Sequence, residues 1–192
     1  MSSTAASYAE RLARLEGRWW KRYVPTPYRW HIRHICTGRV LDVGCGIGRC
    51  LSFLDGRGVG VDPNEAAVAI ARSRGLQAYT PDELVDLDHD SGFDTLLLSH
   101  VLEHLSRDEG IELVRMWMPR LRRSGKVVLI CPQERGQRSD PTHVRLLGES
   151  ELRDLAAAAQ IHVVEVRSFP LTRSFGRWWV HNETVLVGRI DD

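Results

Sequence analysis

The sequence lacks any run of about 18 apolar residues, any C-x-x-C pair and any large charge excess, and each absence excludes a class of protein. The first rules out a transmembrane helix, and the opening MSSTAASYAERLARLEG has no apolar core of the signal-peptide kind. The second leaves Cys36, Cys45, Cys50 and Cys131 as free thiols of a reducing compartment, with neither a disulfide framework nor a structural zinc site, so a cytoplasmic location is expected. A formal net charge of +1 gives no global reason to expect nucleic acid or an anionic membrane. Lysine is scarce as well: Lys21 and Lys126 are the only two, so nearly all positive charge is arginine. There is no internal repeat and no low-complexity tract. What remains is 192 residues with 43% hydrophobic and 27% charged content, enough for a globular domain with a core of its own.

Apolar positions Tyr8, Leu12, Leu15 and Trp19 recur at helical spacing, which predicts an amphipathic helix over 7–23. Pro25 and Pro27 break it, and a short turn or helix over 28–35 leads to the body of the domain near Gly38. Residues 1–37 are thus expected to form a helical lid and residues 38–192 the domain proper. Four apolar runs follow at βαβ spacing, RVLDV, GVGVD, LQAY and FDTLLLS, and KVVLICP makes a fifth. Continuous rather than alternating apolarity suits strands buried on both faces of a parallel sheet. Between them lie an alanine-rich helix closed by Gly75 and two capping boxes, TPDE and SRDE. The second opens a helix carrying Ile111, Val114, Trp117 and Leu121. After a polar loop and a helix over 150–160, IHVVEVRSF and ETVLVGRI have no helix between them and are expected to pair as an antiparallel edge hairpin. The pattern predicts a doubly wound α/β fold.

The most informative stretch is VLDVGCGIGR, residues 40–49. It leaves a buried strand through glycines at 44, 46 and 48, where the backbone must turn sharply and approach a ligand, and it is expected to enter a helix whose first amides suit an anionic group. Asp62 ends the second strand fourteen residues beyond Gly48, where a carboxylate can accept both hydroxyls of a ribose. A purely structural glycine turn with a helix-capping aspartate is the plainer alternative. The coincidence of the two features favours a nucleoside cofactor, and spacing alone leaves NAD open.

VLDVGCGIG, GVDPN, FDTLLLSHVLEHL and the C-terminal strand pair together resemble the class I S-adenosylmethionine-dependent methyltransferases of the small-molecule type, with their D-x-G-x-G-x-G motif. The resemblance covers most of the chain from Arg39 onward. It implies a Rossmann-like seven-stranded sheet with an antiparallel C-terminal hairpin and helices on both faces. It also implies S-adenosylmethionine as cofactor, with S-adenosylhomocysteine as product. The dehydrogenase spacing G-x-G-x-x-G would need a glycine where Arg49 stands, which counts against NAD. By resemblance, Asp42, Gly44, Cys45, Gly46 and Gly48 line the methionine end of the cofactor. Asp62 holds the ribose, with Pro63 and Asn64 beside the adenine, and Pro81, Asp82, Glu83 and Leu84 close over the ring. Ser99, His100 and Val101 flank the cofactor after the fourth strand.

HVLEH, residues 100–104, also reads as the H-x-x-E-H zinc-peptidase pattern, which needs both histidines on one helical face. Its place just beyond a strand and before the Ser106 cap argues for a bend instead, with His104 either supporting the site or merely packed. Methyl transfer to a hydroxyl needs a base, whereas an amine needs only ordinary deprotonation. SDPTHVR offers His143 as base with Asp140 to orient its ring, and His100 stands in reserve. The Asp140–His143 pair could instead bind a divalent cation or only brace the loop, and no metal ligand is assigned. Aromatic residues and arginines in RWWKRY and RSFGRWWVHNE, Trp19, Trp20 and Tyr23 among them, suit either substrate stacking or core packing. The expected activity is methyl transfer to a small-molecule or glycan/lipid-linked acceptor, more readily at oxygen. A non-catalytic binding module is the alternative, and an NAD-dependent oxidoreductase a weaker one.

Overall fold

The computed structural model describes residues 27–86 and 92–190. The helix expected over 7–23, with Trp19, Trp20 and Tyr23, lies outside them. The chain divides into two compact units, one ending at His89 and the other beginning at Asp90.

In the first unit α1 (Pro27–Ile35) precedes β1 (Val40–Val43), β2 (Gly58–Val61), α2 (Glu65–Ser73), β3 (Ala78–Tyr79) and α3 (Pro81–Asp86). β1 pairs parallel with β2 and β2 with β3, and every residue of VLDV and GVGV is buried. That is the behaviour of strands covered on both faces, for which the continuous apolar runs are suited. Asn64 caps α2 by accepting from the amides of Ala66 and Ala67 at 3.1 and 3.2 Å. Gly75, at φ +77°, stops it in a conformation that favours glycine. The glycines of β2 serve packing. A Cβ on Gly60 would come within 2.6 Å of both Cys45 Sγ and Leu51 Cδ1. Gly60→Ala is therefore expected to destabilise the protein by about 1–3 kcal/mol, read as a lower denaturation midpoint at unchanged slope.

The second unit runs β4 (Phe93–Ser99), α4 (Arg107–Trp117), β5 (Leu121–Pro132), α5 (Glu134–Gln137), α6 (Glu149–Ala158), β6 (Ile161–Phe169) and β7 (Glu183–Ile190). β4 pairs parallel with β5, while β7 pairs antiparallel with both β5 and β6. The C-terminal hairpin is present as expected, with a 3₁₀ turn over Arg173–Arg177 in its connection. The capping box of Ser106 and Glu109 opens α4: Ser106 N donates to Glu109 Oε2 at 2.8 Å and Glu109 N to Ser106 Oγ at 3.4 Å. Ile111, Val114 and Trp117 face the core. Leu121 does not belong to that helix. Pro119 ends it in a 3₁₀ turn, and Leu121 starts β5.

Candidate functional site

In the first unit the chain leaves β1 through Gly44, Gly46 and Gly48, all at positive φ (+74°, +52° and +83°). The amides of Gly44 and Cys45 donate to Val61 O at 2.8 and 3.1 Å, which ties the turn to the end of β2. Gly46 N donates to Asp62 Oδ2 at 2.8 Å and Asn64 N to Oδ1 at 2.9 Å. Loop and acid are thus one hydrogen-bonded assembly, and each carboxylate oxygen keeps a second acceptor position. The glycines have different reasons to be there. A Cβ on Gly46 would meet nothing within 4 Å, so this turn opens to space for a ligand. One on Gly48 would strike Leu76 Cδ1 and sit 3.3 Å from the Ala71 Cβ.

The helix expected after the glycines does not form. The chain makes turns and a three-residue 3₁₀ segment, Leu51–Phe53, before Asp55 and Gly56 again take positive φ. Left-handed residues on both sides leave too few in between for an α-helix, so turn amides, not a helix end, face the ligand.

Asp42 is 2% exposed and its Oδ2 has no hydrogen-bond partner. Burial first, then the Asp62 charge, pushes its pKa to about 8, so the carboxyl is protonated at neutral pH. Burial, then Asp42 and Asp62, drives the Cys45 thiol upward as well, so this cysteine is no nucleophile. An orphaned buried acid beside an open glycine turn fits a ligand carrying positive charge. Pro63 follows Asp62, and the Asn64 side chain is spent on its helix cap. Of the α3 residues, Glu83 is held by Arg72 through contacts of 3.2 and 2.7 Å and also accepts from Thr80 N at 2.8 Å. The Arg72 bond above all lowers its pKa to about 2. Leu84 is fully buried, Pro81 starts the helix, and Asp82 remains exposed.

In the second unit β4 ends at Ser99, and His100 turns the chain at φ +59° while its amide donates to Ile130 O at 2.9 Å. Val101 leads into a 3₁₀ turn, Leu102–His104. His100 and His104 therefore share no helical face, and the peptidase pattern is not realised. The His100 ring lies between two carboxyl groups, with Nδ1 3.2 Å from Glu103 Oε1 and Nε2 2.7 Å from Glu183 Oε1. Burial pulls its pKa down, but the Glu183 charge and the bonds to both carboxyl groups outweigh this and hold it at about 10. With both nitrogens engaged, His100 has no free lone pair and is no base.

His143 Nδ1 sits 3.0 Å from Gln137 O. A carbonyl only accepts, so Nδ1 carries a proton, and the tautomer this fixes has its lone pair at Nε2. Asp140 does not orient this ring as expected. Its Oδ1 accepts from Thr142 N at 2.9 Å and Thr142 Oγ1 at 2.7 Å, which lowers its pKa. It acts one residue further along: Thr142 receives His104 Nδ1 at 3.3 Å through its carbonyl and 3.2 Å through Oγ1. The His104 and His143 rings meet edge to face, centroids 4.8 Å apart. Sequence reasoning passed over Glu103 as a member of this cluster and missed Glu183 altogether; the first was visible inside HVLEH. Trp178 is 82% exposed, so the C-terminal aromatic cluster is not simply core; with Arg173, Arg177 and Glu134 it lines an open cleft.

Residues 41–127 match the model of a methyltransferase domain. This match marks a methyltransferase domain within the chain, and S-adenosylmethionine-dependent methyltransferases are among the proteins whose fold the chain shares. Solved structures agree on the fold. A methyltransferase from Archaeoglobus fulgidus dependent on S-adenosylmethionine has a TM-score of 0.65 at 19% identity, over 84% of this chain and 90% of that one. A putative methyltransferase from Haloferax volcanii, solved in complex with the Trm112 activator, has a TM-score of 0.73 at 19% identity, covering 100% of both. Magnesium protoporphyrin IX methyltransferase from Synechocystis PCC 6803 with bound S-adenosylhomocysteine has a TM-score of 0.61 at 16% identity, over 91% and 94%. No curated protein matches the sequence. Among the described residues no helix is long and apolar enough to cross a membrane, and all four cysteines are buried thiols outside any disulfide.

Proposed function

We propose that this methyltransferase moves the methyl group of S-adenosylmethionine to a hydroxyl oxygen of a small-molecule or glycan/lipid-linked acceptor in the cytoplasm. The acceptor oxygen attacks the methyl carbon in line. The carbon–sulfur bond breaks with its electron pair left on sulfur, the hydroxyl proton departs, and a methyl ether or ester and S-adenosylhomocysteine result. Positioning alone can supply roughly 7–11 kcal/mol of such a barrier.

The first unit binds the donor. Asp62 takes the two ribose hydroxyls on the acceptor positions left by Gly46 N and Asn64 N. The Gly44–Gly46 backbone and Asp42 face the positively charged methionine end. Pro63 and Asn64 border the adenine, and Asp82 takes its exocyclic amine, because Glu83 is committed to Arg72. The second unit carries acceptor activation. The observation that favours oxygen is His143, whose Nε2 lone pair is oriented by Gln137 O and lies 4.0 Å from the buried Glu103. An amine acceptor has no need of such a group.

His143→Ala is expected to lower turnover by about 10²–10⁴-fold while leaving S-adenosylmethionine affinity within twofold. The test incubates protein with a metabolite extract and donor labelled with carbon-13 in the methyl group, then reads the methyl shift of the product. Signal in the O-methyl region is expected. Label confined to N-methyl groups, or turnover unchanged in His143→Ala, would remove the oxygen reading.

A further inference from the structure

Glu103, His104 and His143 each offer a ligand atom, and the three atoms lie within 4.8 Å of one another. We propose that they form a site for one divalent transition-metal cation, Zn²⁺ or Mn²⁺, with coordination positions left open. Three observations carry this. The first is tautomer control. His143 Nδ1 is bound to Gln137 O and His104 Nδ1 to Thr142 O, so both rings turn Nε2 lone pairs outward from fixed backbone anchors. Metal-binding histidines are oriented in this way by bonds from their other nitrogen.

The second is the state of Glu103. Its side chain is fully buried and its Oε2 has no hydrogen-bond partner. A carboxyl group in that position is costly unless a cation or donor completes it. His100 does so only in part, because its single ring serves both Glu103 Oε1 and Glu183 Oε1, at 3.2 and 2.7 Å. With a cation present, His100 becomes the donor that steadies the ligating carboxylate.

The third is the donor set. Two imidazoles and one carboxylate leave open positions in the zinc hydrolases and in non-haem iron enzymes. Hard Mg²⁺ prefers an all-oxygen shell. Ligands on one cation stand roughly 3 Å apart, so separations here of up to 4.8 Å must close by nearly 2 Å, each ligand atom moving about 1 Å toward the centre.

The inference deepens the oxygen-acceptor proposal, on which its catalytic role rests. A cation on these residues would take the acceptor hydroxyl into an open position and lower its pKa, the chemistry a metal supplies to bound water. In the loaded protein the His143 Nε2 lone pair is given to the cation, so the ligand role replaces its role as base, the proton leaves the coordinated oxygen to solvent, and His143→Ala lowers turnover on either account.

The test is calorimetric titration of the chelator-stripped full chain with Zn²⁺, Mn²⁺ and Mg²⁺, with no donor or acceptor present. Expected are one Zn²⁺ or Mn²⁺ per chain, at least tenfold weaker binding in His104→Ala and in His143→Ala, and unchanged binding in His162→Ala, a surface control on β6. Co²⁺ loading adds a visible d–d spectrum that both cluster variants should lose. Should His143→Ala unfold, since its ring also braces the loop to Gln137, His104→Ala carries the test. The proposal is overturned if folded wild type binds none of these ions, if it takes Mg²⁺ as tightly as Zn²⁺, or if binding survives the cluster variants. S-adenosylmethionine titration of the same samples keeps the two questions apart: donor binding without metal binding sinks only the cation site.

Discussion

Asp62→Ala is expected to weaken binding of S-adenosylmethionine and S-adenosylhomocysteine by roughly 10²–10⁴-fold. Two ribose hydroxyls on one carboxylate make two charge-assisted hydrogen bonds, each worth about 1.5–3 kcal/mol, and every 1.4 kcal/mol is tenfold in affinity. The acid also receives Gly46 N and Asn64 N, so its removal frees the turn that is meant to meet the methionine end. Asp62→Asn separates these contributions, because one carbonyl oxygen survives to hold part of the turn. It should fall between wild type and alanine. Calorimetric titration of all three proteins reads the result, with NAD as the ligand expected not to bind. Affinity for the sulfonium cofactor unchanged in Asp62→Ala would place the ribose elsewhere.

Asp42→Asn is expected to change how stability depends on pH. The wild-type carboxyl keeps its proton in the folded state up to about pH 8, whereas in the unfolded chain it loses it near the ordinary carboxylate value. Between those limits the folded state holds the extra proton, so stability contributed by this group falls as pH rises from about 4 to about 8 and is level above that. The asparagine variant lacks the titration. Its denaturation midpoint should therefore lose this downward slope and exceed that of wild type most at pH 8. The buried position makes the effect several kcal/mol at most. A cation placed beside Asp42 favours the ionised form. Below pH 8 the wild type should thus release protons on binding S-adenosylmethionine, seen as a dependence of the apparent binding heat on buffer ionisation enthalpy, and Asp42→Asn should release fewer. Parallel stability profiles for the two proteins would mean that Asp42 is ionised in the fold.

The parts of the site that could be read from sequence are those whose physics is local. Asp42, the three glycines and Asp62 lie on one strand–turn–strand stretch of about twenty residues, where a buried strand, a turn and an acidic strand end follow in order. Capping boxes at Thr80 and Ser106 are equally local, each formed by residues three apart. The expected helix after Gly48 failed for a reason that lies in the backbone: left-handed residues on both sides, more than the side chains between them, decide what the segment can do.

The second cluster has the opposite character. HVLEH offered His100 as a base, but Glu183 lies 83 residues away and is brought in because β7 pairs antiparallel with β5, Glu183 standing opposite Pro132. That contact takes away the lone pair on which a base depends. Asp140 precedes His143 by three residues and looked like its natural partner, yet a hydrogen bond to Thr142 was nearer, and the carbonyl of Gln137 took the ring instead.

By itself the sequence determined the order of the strands, the glycine turn with its acid and the resemblance to methyltransferases, because apolar period, turn chemistry and motif order are properties of neighbouring residues. Only the tertiary structure decided which nitrogen of each histidine is free, which carboxyl group is orphaned and which acid is protonated. Those depend on desolvation and on partners drawn from distant strands, and no local spacing encodes them.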